Sequence, residues 1–229
     1  MSKQRALLLV AAVYAAALVV AAAILHYAHA QSLWQHLLWL LVADVAATVV
    51  VFIGSVAWKN SSMYDAYWSV IPPLIALYWT GMYPEHATEP RTFFVHALVW
   101  AWGVRLTYNW VRQWGGLVHE DWRYRDLQAK HGRLYWLVSF GGIHLFPTLL
   151  VFLGCMAFIP LLAAPSSGFG LLDLPGLLLT GWAIWLEATA DAQLHRFRAA
   201  QPPQEAILES GVWRWSRHPN YFFEFCIWL

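Results

Sequence analysis

Six apolar stretches, each long enough to cross a bilayer as a helix, follow one another along the chain. They cover residues 6–27, 34–58, 63–83, 92–112, 134–163 and 171–194. A membrane-spanning helix needs about 20 mostly apolar residues. Only 12% of the residues are charged, whereas a soluble domain carries roughly 25%. The sequence therefore predicts an all-α, polytopic transmembrane helical bundle.

Both ends of this series of stretches need interpretation. A seventh apolar segment begins near Tyr221 and stops at Leu229, which as a helix covers less than half of the hydrocarbon core, about 30 Å thick. We expect about seven spans, the last one truncated, in a natural chain that continues. The first stretch ends in Ala28-His29-Ala30, a pattern typical of signal-peptide cleavage, but its length favours a retained helix over a cleaved leader.

The basic residues predict the orientation. Twelve of the fourteen Lys and Arg residues fall on one side of the predicted spans, while Arg91 lies on the other side and Arg105 lies within a span. The positive-inside rule makes the basic side cytoplasmic. We therefore expect a cytoplasmic amino terminus and cytoplasmic segments at 113–133 and 195–219.

Several functions are excluded by composition. A net charge of +1 offers no broad face for nucleic acid. Cys155 and Cys226 lie in apolar stretches, so neither a disulfide framework nor a cysteine zinc site is expected. The ten histidines show no recognised ligand spacing, and we predict no metal site.

Ionisable residues inside the apolar stretches are candidates for function, because each costs about 2.5–3.5 kcal/mol to insert. Glu187, Asp191 and Arg198 are separated by four and seven residues and share one helical face. Two acids one turn apart favour a site that contains donors or cations, and the alternative is a packed helix end with a salt bridge. Arg105, with Tyr108 on the same face, needs a partner or an anionic ligand unless it snorkels to the interface.

Two further acids are open to both functional and structural interpretations. Asp65 shares a face with Trp68 and Ser69 at the cytoplasmic boundary, where it is either functional or an interfacial anchor. Asp44 lies within the second stretch, one turn from Thr48, and we predict that it makes a hydrogen bond between helices.

The segment Ser216-Arg217-His218-Pro219-Asn220-Tyr221-Phe222-Phe223-Glu224 resembles the SRHPNYFGE signature of the steroid 5-alpha-reductase-like membrane proteins of the DUF1295 family. Four further blocks resemble the same family: Asp65-Ala-Tyr-Trp-Ser69, Gly103-Val-Arg-Leu-Thr-Tyr-Asn109, His119-Glu-Asp-Trp-Arg-Tyr124 and Glu187-Ala-Thr-Ala-Asp191-Ala-Gln193 with Arg196-Phe-Arg198. The resemblance covers residues 60–229. It implies a steroid-reductase-like membrane domain over that range, preceded by two transmembrane helices in 1–59.

The resemblance implies an NADPH-dependent oxidoreductase acting on CH–CH groups, with a cofactor pocket in its carboxyl-terminal half. Such an enzyme transfers a hydride to the C=C bond of a lipophilic enone, steroid-like or another lipid. Matching the motifs assigns cofactor contacts to Glu187, Asp191, Arg198, Arg217, His218, Asn220, Tyr221, Glu224 and Arg105. Arginines at a helix end suit the phosphates of the cofactor.

For the chemistry, Asp65 is the candidate acid that polarises the substrate carbonyl, and Tyr108 is its candidate partner donor. One position departs from the family signature, since Phe223 stands where the family has Gly. A bulky side chain there is expected to narrow the approach of the cofactor.

Two alternatives remain open. Isoprenylcysteine-type methyltransferases, which bind S-adenosylmethionine, share an R-H-P-x-Y block, and a membrane protein without catalysis, such as a transporter, is the third interpretation. The expected partners are a lipophilic small molecule and membrane lipids. We expect a multi-pass monomer, and the resemblance suggests a bacterial inner membrane.

Overall fold

The computed structural model describes residues 1–163, 169–203 and 205–228, and the regular structure in these ranges is helical. The α-helices, in chain order, are α1 (Lys3–Tyr27), α2 (Leu33–Ala57), α3 (Tyr67–Met82), α4 (Pro90–Gln113), α5 (Trp122–His131), α6 (Tyr135–Val138), α7 (Phe146–Gly154), α8 (Asp173–Ala199) and α9 (Pro219–Ile227). The prediction of an all-α helical bundle is confirmed.

Within the described residues, three helical segments are long and apolar enough to cross a membrane. They are α1, α2 and the continuous run Trp122–Leu162, which contains α5, α6 and α7. The other predicted spans also form helices, namely α3, α4, α8 and the short α9. The chain is therefore a membrane protein.

Local signals in the sequence define where the helices begin and bend. Ser2 and Ser32 cap α1 and α2, each accepting a hydrogen bond from the backbone N–H three residues later. The stretch predicted over 134–163 is helical but irregular. It widens into π-helical turns at Ser139–Leu145 and at Ile159–Ala163, which contains Pro160. Proline and π-turns are the usual causes of such interruptions.

The chain divides into two compact units. The first unit contains Met1–Leu77 and Leu106–Ala157, and the second contains Tyr78–Arg105 and the described part of Phe158–Leu229. Helices α3 and α4 are each continuous and contribute residues to both units.

In the first unit, α1 packs along α2. A Cβ added to Gly54 of α2 would lie 3.0 Å from the Val13 side chain of α1, so glycine permits the close approach. Ala6, Val10 and Trp114 form a buried apolar cluster at one end of this pair.

Buried hydrogen bonds tie α2 to the α6–α7 segment in the same unit. The Thr48 and Thr148 hydroxyl oxygens lie 2.8 Å apart, and Ser55 Oγ lies 3.0 Å from His144 Nε2. Hydroxyl and imidazole groups of this kind join helices in bilayers, where no water competes. Asp44 of α2 interacts with the Tyr67 side chain of α3, which agrees with the predicted hydrogen bond between helices.

In the second unit, α9 packs against the carboxyl-terminal half of α8. Leu186 and Ala190 of α8 are buried against Phe223 of α9. At the opposite end of α8, Arg91 donates to both carboxylate oxygens of Asp173, at 2.9 and 2.8 Å. This bidentate ion pair holds the beginning of α4 beside the beginning of α8.

Candidate functional site

Arg105 lies between the two acids of α8. Its Nη2 is 2.6 Å from Glu187 Oε2, and its Nη1 is 2.9 Å from Asp191 Oδ2. Glu187 is buried, and the guanidinium is only 16% exposed. Arg105 of α4 therefore supplies the cation expected beside the two acids of α8. Its side chain pairs with them and does not snorkel to the interface.

A third acid completes this polar region. Glu224 of α9 accepts hydrogen bonds from the indole N–H groups of Trp102 (3.0 Å) and Trp228 (2.9 Å), one at each carboxylate oxygen. Asn220 lies one turn earlier on α9, beside Asp191. We call Arg105, Glu187, Asp191, Asn220 and Glu224 the Arg105 cluster. It combines three carboxyl groups with one guanidinium.

Asn220 contributes one unsatisfied polar atom to the cluster. Its side-chain oxygen is buried and makes no hydrogen bond with any residue in the described ranges. An unsatisfied carbonyl oxygen of this kind is costly and marks a place where a ligand donor would be stabilised.

A short turn, Gly211–Arg214, precedes α9 in the chain and is hydrogen-bonded to α8. Val212 N–H donates to Gln193 Oε1 at 3.1 Å, and Trp213 Nε1 donates to the backbone oxygen of Ala190 at 2.9 Å. Gly211 has a φ of +62°, and a Cβ at this position would collide with the Gln193 amide. These contacts place the segment that carries Arg217 and His218.

The remaining residues predicted to contact cofactor are exposed: Arg198 in the last turn of α8, Arg217 and His218 ahead of α9, and Tyr221 in its first turn. The His218 and Tyr221 rings lie 5.7 Å apart, edge to face. The predicted set thus separates into a half-buried cluster and an exposed group that contains two arginines. Phe223, the departure from the family signature, is 5% exposed and fills the apolar core between α8 and α9.

In the first unit, Asp65 is paired with a residue that sequence reasoning did not select. The Tyr124 hydroxyl donates to Asp65 Oδ1 at 2.6 Å. Neighbouring bonds join the same two segments, since Ser61 N–H donates to Glu120 at 2.8 Å and Asp121 N–H donates to Ser62 Oγ at 3.0 Å. Tyr124 belongs to the block His119–Tyr124 that resembles the family, and this motif is the sequence feature that could have identified it.

Tyr108, the predicted partner of Asp65, has a different neighbour. Its ring is 60% exposed and lies under the Arg112 guanidinium, 5.6 Å from the ring centroid. Both residues lie on α4 one turn apart. The hydrogen-bonded tyrosine at Asp65 is Tyr124.

The carboxylate of Asp121 caps the N-terminus of α5. It accepts bonds from the backbone N–H and from Nε of Arg123, at 2.9 and 2.8 Å. The hydrogen bond from the Arg123 guanidinium lowers the pKa of this carboxyl below its usual value. Asp121 is therefore a structural acid that caps a helix.

An apolar cavity of about 590 Å³ opens beside these segments in the first unit. It is lined by Gln4, Leu7, Leu8, Val10, Ala11 and Tyr14 of α1, by Ala66 and Val70, and by Thr107, Trp110 and Val111 of α4. Ala66 directly follows Asp65 in the chain. The volume falls in the range of small-molecule sites, about 300–1,000 Å³.

Comparison with known proteins identifies relatives of this chain. A family model described as "Protein of unknown function (DUF1295)" matches residues 51–229. An uncharacterized protein of Schizosaccharomyces pombe is 30% identical over 205 residues, which is 77% of this chain and 60% of that protein. The chain thus spans less than two thirds of this relative's length. No solved structure matches the chain.

Proposed function

Since this membrane protein belongs to the DUF1295 family, we propose that it is an NADPH-dependent reductase that transfers a hydride to the C=C bond of a lipophilic enone. The observation that carries the proposal is the packing of α9 on α8, which joins the reductase-like Glu187–Gln193 and Ser216–Glu224 blocks in one helix pair. The resemblance of both blocks to steroid 5-alpha-reductase-like proteins supplies the type of reaction.

The residues of the second unit fit the chemistry of this cofactor. Arg198, Arg217 and His218 are exposed, so their donors are accessible to phosphate oxygens, which prefer charge-assisted hydrogen bonds. The unsatisfied Asn220 oxygen suits the carboxamide N–H of a nicotinamide. Arg105 is already committed to two acids and serves to hold α8 in position.

Glu224 has a more restricted role than the resemblance implies. Both of its oxygens already accept indole hydrogen bonds. It therefore anchors the second half of α9, one turn after Asn220. Phe223 supports the same helix from its other face.

In the reaction, NADPH, when bound, supplies the hydride to the β-carbon of the enone. The α-carbon then takes a proton from water, and a hydrogen-bond donor at the carbonyl oxygen lowers the barrier. We assign that donor to the Asp65–Tyr124 pair. When Asp65 is protonated, the Tyr124 hydroxyl donates to its Oδ1 at 2.6 Å and the carboxyl O–H remains available to donate to the substrate oxygen.

The first test is cofactor binding by the purified full-length protein in detergent or nanodiscs. We expect NADPH to bind more tightly than S-adenosylmethionine, and Arg198→Ala to weaken NADPH by about 1.5–3 kcal/mol, the scale of a hydrogen bond to a charged group. Arg196→Ala is the matched control, because Arg196 is exposed in the same last turn and residues two apart on a helix do not share a face. Binding of S-adenosylmethionine without NADPH binding contradicts the reductase.

The second test concerns the proton donor. Asp65→Asn should lower single-turnover NADPH oxidation with an enone acceptor by about 10²–10³-fold, with NADPH affinity unchanged. Tyr124→Phe should reduce the same rate, whereas Tyr108→Phe should not. Full rates in the folded Asp65→Asn variant would remove Asp65 from the mechanism.

A methyltransferase is the second candidate, and one observation favours it. The Arg105 cluster has three carboxyl groups for one guanidinium. That excess of acid suits the cationic sulfonium and ammonium of S-adenosylmethionine. The binding comparison above separates the two functions.

A further inference from the structure

The apolar cavity of the first unit forms a groove along α1. Its lining residues on this helix include Gln4, Leu7, Leu8, Ala11 and Tyr14, which follow at helical spacing and form one stripe. Leu8 is 71% exposed, so the groove is open along this side of α1. From Gln4 to Tyr14 the stripe rises about 15 Å, half of a hydrocarbon core of about 30 Å. The groove, which we call the α1 groove, therefore has the length of one leaflet.

Basic residues stand at the end of the α1 groove where the helix begins. The Lys3 ammonium, next to Gln4 in the chain, donates to the Arg112 backbone oxygen at 3.0 Å. Arg112 directly follows Val111, which lines the groove from α4. Within the described ranges, no carboxylate forms an ion pair with Lys3, Arg5 or Arg112. These three cations leave this end of the groove positively charged.

A buried donor lies on the groove wall within one turn of Arg112. Trp110 of α4 lines the groove, and its indole N–H is buried and makes no hydrogen bond with any residue the structure describes. The ring stacks on Trp114, with centroids 4.8 Å apart, so its position is fixed. A buried N–H without an acceptor is unfavourable, and a ligand carbonyl oxygen would satisfy it.

Farther from the basic end, the groove offers only apolar contact. The Tyr14 hydroxyl already donates to the Met63 backbone oxygen at 2.6 Å. The Thr107 hydroxyl oxygen lies 2.9 Å from Ser69 Oγ, so it is also bonded. The occupant of this part is therefore a hydrocarbon chain.

We propose that the α1 groove binds one anionic glycerophospholipid from the leaflet on the basic side of the protein. Its phosphate takes charge-assisted hydrogen bonds from Lys3 and Arg112, as anionic head groups do in basic pockets between membrane helices. An ester carbonyl accepts from the Trp110 N–H, and an acyl chain covers the apolar stripe. The groove thus presents phosphate, ester and hydrocarbon sites in the order in which a phospholipid carries these groups. A lipophilic enone has no charge that would use the cations.

The test is thermal unfolding of the purified full-length protein in mixed micelles, titrated with dioleoylphosphatidylglycerol and separately with dioleoylphosphatidylcholine. The wild type should show a saturable rise in melting temperature, half-complete at an about tenfold lower mole fraction of the anionic lipid, the equivalent of one charged hydrogen bond. The double variant Lys3→Ala/Arg112→Ala should lose this preference. Trp110→Phe should raise the half-saturating mole fraction of both lipids about fivefold, because both carry the ester. Ala11→Trp, which fills the groove, should abolish both responses.

Two matched controls separate the groove from general effects of charge and bulk. Arg125→Ala/Arg133→Ala removes the same charge from exposed residues of the same unit that do not line the groove, and it should keep the preference. Ala12→Trp adds the same side chain to the neighbouring exposed position of α1, outside the groove lining, and should keep both responses.

Equal half-saturation by the two lipids in the wild type overturns the site, as does an unchanged preference in Lys3→Ala/Arg112→Ala. The same saturable rise with sn-glycerol 3-phosphate would make it a site for free phosphate and also overturn the proposal. Displacement of the anionic lipid by progesterone, a steroid enone, would assign the groove to the substrate instead. If Ala11→Trp does not fold, the preference of Lys3→Ala/Arg112→Ala decides alone.

Discussion

Replacing Gly211 by alanine tests the fastening of the α9 segment to α8. The backbone at Gly211 has φ +62°, which costs a residue with a Cβ about 1–2 kcal/mol. The new methyl group also occupies the position of the Gln193 amide. This amide is at the end of a flexible side chain, so it moves away and leaves the buried Val212 N–H without its acceptor, at about 1–3 kcal/mol. We expect a total loss of about 2–5 kcal/mol in the free energy of unfolding.

A double-mutant cycle separates the two contributions. Gln193→Ala alone should cost about 1–3 kcal/mol, because it removes the same acceptor. The double variant should then be about as stable as Gly211→Ala alone, since the amide is no longer there to be displaced. The assay is equilibrium unfolding of the purified protein in mixed micelles of increasing SDS content.

Gly176→Ala is the control for glycine replacement itself. A Cβ at Gly176, within α8, meets no atom within 4 Å, so the change should be neutral or stabilise the helix by about 0.5–1 kcal/mol. Fully additive costs for Gly211→Ala and Gln193→Ala would refute the reasoning, because the methyl group would then not displace the amide.

Other expectations follow from the ion pairs and the orientation. Arg105→Gln should lower the free energy of unfolding by about 3–5 kcal/mol, because it leaves two acids without their cation. Adding Glu187→Gln should recover part of that loss. A double variant as unstable as Arg105→Gln alone would contradict the pairing. Asp121→Asn should make the free energy of unfolding fall less steeply in acid. Because the pKa of Asp121 is lower in the folded than in the unfolded protein, its carboxylate stabilises the fold at pH values above the ordinary pKa of Asp. This contribution is lost as the pH falls through the lowered pKa of the folded state. If the free energy of unfolding of Asp121→Asn falls in acid as steeply as that of the wild type, the structural role of Asp121 is refuted. Val118 is 89% exposed, so it is a suitable position to test the topology. In a Cys226→Ser background, Val118→Cys should react with an impermeant maleimide added to the cytoplasmic side of oriented vesicles. Reaction from the other side alone would reverse the predicted topology.

Helix content and the membrane environment follow from the sequence alone. A run of about 20 apolar residues can satisfy its backbone hydrogen bonds within itself only as a helix, so composition along a single segment decides the structure there. Of the two π-helical turns in the 134–163 stretch, Ile159–Ala163 contains a proline, Pro160, that the sequence shows. The acids and arginines of α8 were found by their spacing, because a helical period assigns residues to one face.

The partners of those residues depended on the tertiary structure. Helical spacing states which side chains share a face, but it does not state how one helix is rotated against the next. For this reason the spacing did not show that the Tyr124 hydroxyl donates to Asp65. For the same reason the sequence predicted a partner for Asp44 on another helix without identifying it as Tyr67 of α3. Sequence determined which segments are helices, since that depends on local composition, and only packing decided which polar atoms meet, since that depends on residues far apart in the chain.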